Sequence, residues 1–155
     1  MNMEAIEEFS AHFNKVDLEN QFLNMEGVLA RNSEEKVDIV QGIFREIHSL
    51  KGTSAILKLE PITVFLHTFE DALGVLSRNI RQINAVKNTT IFDFFLQCLD
   101  LLECLITDFK NNPECILKDQ EQLFRFYVRM ILEARMIIER QDDYFEFTAL
   151  DENIF

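Results

Sequence analysis

Apolar side chains return every three to four positions along most of this chain, the period of an amphipathic α-helix. Ile6, Phe9, Phe13, Val16, Phe22, Met25 and Leu29 keep to it, which predicts one long helix over residues 4–31. Asn32 and Ser33 interrupt the pattern, and Ser33 before Glu34 and Glu35 reads as an N-cap with acids in the first turn. A second helix carries Val40, Ile43, Ile47, Leu50 and Ser54 on one stripe and runs to about Leu57. Pro61 suits the first turn of a third, where its missing N–H costs nothing; this helix buries Ile62, Phe65, Leu66, Phe69, Leu73 and Leu76.

Residues 78–87 read as a polar connection with scattered Ile and Val. Asn88, Thr89 and Thr90 offer caps for a fourth helix over Phe92, Phe95, Leu99, Leu102, Ile106 and Phe109, ended by Asn111, Asn112 and Pro113. A fifth helix is predicted from about Asp119 to Arg140 on Leu123, Phe126, Met130, Ile137 and Ile138. Four long helices with short links predict an all-α fold, an antiparallel four-helix bundle with an additional fifth helix packed on its side. The domain division is a bundle over residues 1–140 and an acidic tail, or the start of a linker, over 141–155.

Composition agrees with this reading. The 155 residues are 48% hydrophobic and 27% charged, in the range of globular domains, with fifteen Phe but only four Gly and two Pro to break elements. A net charge of −12 speaks against nucleic acid and against an anionic membrane surface as partners. The acidic start MNMEAIEEF lacks the regions of a signal peptide, and no apolar run reaches the roughly 18–20 residues of a membrane span. Cys98, Cys104 and Cys115 are odd in number and lack CxxC spacing, so they read as core thiols in a reducing cytoplasm.

The stretch REIHSLKGTSAIL, residues 45–57, does not fit a plain buried helix. At about 100° per residue, His48 lies about 120° from the centre of the apolar stripe, at the rim of the bundle. Arg45, Lys51 and Gly52 share its face. A mid-helix glycine costs roughly 1 kcal/mol against alanine, so Gly52 implies a need for clearance beside His48. If the second and third helices pair antiparallel about a turn at residues 58–60, His48 stands level with Glu70. That carboxylate would then accept the Nδ1 proton and leave Nε2 free, with Lys51 placed to hold a phosphoryl charge.

Two other readings compete. A rim histidine on an amphipathic helix is often only a surface residue, which would make the chain a non-catalytic helical interaction module. His67-x-x-Glu70 is also the reversed spacing of a di-iron bundle motif. That motif needs further inward carboxylates, and the interior positions here are Phe, Leu and Ile, so no metal site is expected. A phosphate loop, a Ser-His-Asp arrangement and a Gly-rich nucleotide fingerprint are absent.

Phe44-Arg45-Glu46-Ile47-His48-Ser49-Leu50-Lys51-Gly52-Thr53-Ser54, followed by Leu57, His67 and Glu70, resembles the histidine phosphotransfer (HPt) domains. His48-x-x-Lys51-Gly52 is the core shared by that family, and His67-x-x-Glu70 is most similar to the N-terminal phosphotransfer domain of chemotaxis histidine kinases of the CheA type. The resemblance spans about residues 5–140. It implies that His48 is phosphorylated at Nε2, that Glu70 hydrogen-bonds its ring, that His67 and Lys51 complete a polar network, and that Gly52 gives clearance. It also implies a kinase ATP-binding domain, which would hold the ATP and Mg2+, and a response-regulator receiver domain as partners, with no cofactor in this chain. Such a unit would be either part of a larger kinase or a free-standing relay protein outside chemotaxis. Thr53-Ser54 replaces a smaller pair, and Lys58 stands where the family carries glycine. A lysine there implies either about 1–2 kcal/mol of backbone strain or a different turn.

Overall fold

The structure is a computed structural model and describes residues 3–30, 34–82 and 89–112. Among the described residues it is all-α, with helices α1 (Met3–His12), α2 (Lys15–Ala30), α3 (Glu35–Ile56), α4 (Glu60–Asn79) and α5 (Thr89–Asn111) and no strand. Helix α2 packs on α3, α3 on α4, α4 on α5 and α5 on α2, closing a four-membered bundle, and α1 continues the α2 arm against α5 and α3. None of these helices is long and apolar enough to cross a membrane. The helix predicted over 119–140 and the tail over 141–155 lie outside the described residues.

The expected single helix over 4–31 is two. Asn14 ends the first segment and caps the second: its Oδ1 accepts the Asp17 backbone N–H at 3.0 Å, and its carbonyl accepts that of Leu18 at 3.2 Å. A side-chain cap competes with helix continuation, which apolar periodicity cannot register. The break shifts the phase of the buried stripe. Val16 is 67% exposed, while Leu18 joins Phe22 and Met25 in the core.

Three further expectations are corrected. The cap position of α3 is taken by Glu34, which makes no side-chain cap bond; Ser33 lies outside the described residues. The supposed polar connection from Arg78 is helical through Asn79 and then turns once more over Ile80–Gln82, burying Ile80. Cys98 is a buried thiol and Cys104 an exposed one, because Cys104 falls opposite the stripe of Leu99, Leu102, Ile106 and Phe109. Cys115 is outside the described residues.

The remaining stripes bury as expected. Val40, Ile43, Ile47, Leu50 and Ser54 of α3 face Ile62, Phe65, Leu66, Phe69, Leu73 and Leu76 of α4. Phe22 stacks on Phe95 at 5.3 Å, and both meet Phe69 edge-on, so one aromatic cluster ties α2, α4 and α5 together beside the position that carries Glu70.

The α3–α4 turn sets the register of the site. The Lys58 N–H bonds the Ala55 carbonyl at 3.1 Å and the Leu59 N–H that of Ser54 at 2.9 Å, with Lys58 at φ 59°. This is the Schellman termination that a glycine ordinarily serves. Lysine takes the left-handed conformation rather than another turn. The contact is reinforced inside the hairpin, where the buried Ser54 hydroxyl lies 2.8 Å from that of Thr63.

Candidate functional site

Helical rotation places Phe44, His48 and Lys51 on the side of α3 that borders α4, and Thr63, Glu70 and Gly74 on the facing side of α4. The antiparallel hairpin brings the two rows together. His48 Nδ1 lies 2.7 Å from Glu70 Oε2, and Lys51 Nζ donates to Glu70 Oε1 at 3.0 Å. The Glu70 side chain is only 13% exposed, whereas that of His48 is 62% exposed. A half-buried carboxylate thus anchors a ring that opens to solvent.

Burial alone would raise the Glu70 carboxyl, but hydrogen bonds from Lys51 and His48 outweigh it and hold it below its ordinary value. Glu70 is therefore an anion near neutral pH and only accepts. At 2.7 Å the Nδ1 atom must donate, since two lone pairs would repel. In the neutral imidazole Nε2 is then the unprotonated nitrogen, at the far side of the ring from Glu70. Such a nitrogen is a nucleophile whose tautomer is set before any reagent arrives.

Gly52 is helical and exposed, and a Cβ built on it would meet no atom within 4 Å. Packing among the described residues therefore does not require glycine. What its missing side chain keeps open is the solvent side of α3, one turn beyond His48.

The structure brings His48, Lys51 and Glu70 together as expected and turns His67 away from their hydrogen bonds. His67 Nε2 lies 3.8 Å from Asp71 Oδ2 on its own helix, and its side chain is 62% exposed. On α4 the wheel puts Glu70 about 80° from the buried stripe and His67 about 140°, on the outer face that Asp71 shares. Among the described residues no group of three His, Cys, Asp or Glu side chains is placed to hold a metal ion.

One neighbour of the ring was not singled out by its chemistry. Phe44 stacks on His48, with centroids 6.4 Å apart and ring planes 9° from parallel. An aromatic four residues before a rim histidine is the available signal, since i and i+4 side chains meet on a helix.

The family model described as "Hpt domain" matches residues 10–108. The sensor histidine kinase CheAY of Helicobacter pylori (strain ATCC 700392 / 26695) is 30% identical over 94 residues, which covers 60% of this chain and 11% of that protein. The chain therefore aligns with about a tenth of the length of that curated relative. No solved structure matches.

Proposed function

We infer that His48 is a phosphoacceptor from one premise: the chain belongs to the Hpt domain family, the histidine phosphotransfer domains of two-component signalling. The observation that carries the assignment is the hydrogen bond from His48 Nδ1 to Glu70, because it leaves Nε2 unprotonated on an exposed ring. The Nε2 lone pair attacks the γ-phosphorus of ATP held with Mg2+ by a kinase domain. An N–P bond forms, the bond from the γ-phosphorus to the bridging oxygen breaks, and ADP leaves. No proton moves: the ring keeps its Nδ1–H, gains positive charge, and Glu70 opposite offsets it. Lys51, beside the same carboxylate, adds positive charge near the phosphoryl oxygens.

In the second step a carboxylate oxygen of a response-regulator aspartate attacks that phosphorus. The N–P bond breaks, its electron pair returns to Nε2, and the imidazole is neutral again. The relative's description as a sensor histidine kinase, with His67-x-x-Glu70 in the sequence, supports a CheA-type chemotaxis setting, in which this domain is phosphorylated by its kinase and serves a receiver. The free thiols of Cys98 and Cys104 suit the reducing cytoplasm.

The test is incubation with a CheA-type kinase domain and labelled ATP. Wild type, His12→Gln and His67→Gln should acquire acid-labile, base-stable phosphate, and His48→Gln should acquire none. Normal labelling of His48→Gln would overturn the assignment and favour a helical interaction module with His48 as a bystander.

A further inference from the structure

Glycine at position 74 has no backbone reason to be there. It lies inside α4, takes no positive φ, and costs roughly 1 kcal/mol of helix stability against alanine. Its position relative to α3 supplies a reason. A Cβ on Gly74 would stand 3.9 Å from Cε2 of Phe44 and 3.4 Å from Nη1 of Arg78. An alanine would reach ordinary contact with the phenyl ring, and a longer side chain would occupy its place.

Phe44 is four residues before His48 on α3, and Gly74 is four residues after Glu70 on α4, so the contact between them is the next rung of the same antiparallel register. Phe44 is half-buried against the core, which limits its own motion. We propose that Phe44, seated over Gly74, is a positioning residue that sets the plane of the His48 imidazole for phosphoryl transfer.

The physical need is geometric. The hydrogen bond to Glu70 holds one ring atom, Nδ1, and leaves the ring free to tilt about that anchor. A parallel aromatic face at 6.4 Å, within the range of offset stacking, restricts the tilt. The Nε2 lone pair lies in the ring plane, so fixing the plane fixes the direction of attack, and an in-line displacement depends on that direction. Phe44 neither donates nor accepts a proton and touches no reacting atom. It acts through His48.

This inference rests on His48 being the acceptor, and the experiment separates the two. Phe44→Leu removes the flat face while keeping apolar bulk; Gly74→Leu keeps Phe44 and fills its seat. Phe44→Tyr and Gly74→Ala serve as the conservative partners. The full chain is phosphorylated by a CheA-type kinase domain at saturating ATP, with kcat and KM for the chain measured separately. Both Leu variants should lose at least about fivefold in kcat, with KM unchanged within about twofold, and the conservative variants should retain the wild-type rate. NMR of the unmodified protein should show NOEs between the two rings, and the His48 ring resonances should shift or broaden in both Leu variants. Wild-type kcat in either folded Leu variant, a loss that Phe44→Tyr shares, or absence of the NOEs overturns the proposal. If Phe44→Leu does not fold, Gly74→Leu and the NOEs decide. A wild-type chain that takes no phosphate at His48 refutes the functional assignment instead.

Discussion

Glu70 of α4 holds His48 of α3 by a 2.7 Å contact between a nearly buried carboxylate and an exposed ring. The difference in burial matters more than the distance. Glu70 is fixed by its surroundings and by Lys51, so the carboxylate orients the ring, and the ring's far nitrogen remains available to a partner.

Replacing Glu70 by Gln should therefore slow phosphorylation without unfolding the bundle. Carboxylates that orient metal-ligating histidines contribute on the order of 10–100-fold, and a loss of that order is expected for this ring. Circular dichroism should report unchanged helicity while the initial labelling rate falls. Labelling at the wild-type rate would contradict the orienting role.

The same carboxylate makes a pH prediction. Its folded-state value lies below the ordinary 4.5, so the unfolded chain binds the proton more readily. The stabilisation is fully present above the unfolded value and is lost as pH falls through the folded one. The stability difference between wild type and Glu70→Gln, from urea unfolding, should therefore shrink as the pH falls below the ordinary carboxyl value of 4.5. A difference that grows as the pH falls below 4.5 would reverse the sign of the argument.

Among the described residues no atom lies near the missing Cβ of Gly52, so Gly52→Ala should stabilise the fold by several tenths to about 1 kcal/mol. Gly52→Gln should keep the fold but impede transfer, because its side chain would project over the approach to Nε2. Denaturant unfolding and transfer rates read the two effects separately. Unimpeded transfer by Gly52→Gln would show that the approach does not cross this face.

At Lys58 the prediction concerns stability alone. The left-handed conformation costs a non-glycine residue about 1–2 kcal/mol, and glycine's greater freedom in the unfolded chain returns part of that. Lys58→Gly should raise stability by about 1 kcal/mol and leave the labelling rate unchanged. A neutral or negative shift in thermal unfolding would mean that the lysine makes a compensating contact.

Asn14 should prove a true cap. Asn14→Ala removes the acceptor for the Asp17 N–H and is expected to cost about 1 kcal/mol in equilibrium unfolding, whereas Asn14→Asp or Asn14→Ser should be nearly neutral. Equal loss in all three would assign the cost to something other than the cap.

What the sequence by itself determined is what depends on neighbours a turn away. The stripes of α3, α4 and α5, the rim position of His48, and Lys51 and Gly52 beside it follow from a rotation of about 100° per residue. So does the level of Glu70 with His48, given a short turn at residues 58–60. Periodicity failed where a local polar group or a special backbone state intervenes. It carried one helix through Asn14 because it counts apolar positions and not cap acceptors, and it read Ile80 as connection because a single tight turn leaves no stripe.

Only the tertiary structure decided how the rim residues pair. His67 and Glu70 are three apart in sequence, yet a step of about 60° on the wheel sends one to Asp71 at the surface and the other beneath His48. Lys58 could have forced another turn, and the hydrogen bonds of Ala55 and Ser54 show that it did not. Gly74 beneath Phe44 is invisible along the chain, because nothing within one helix says which side chain of another will lie across it. Contacts between helices depend on register and axial rotation, and those are settled by the packing of the whole core at once.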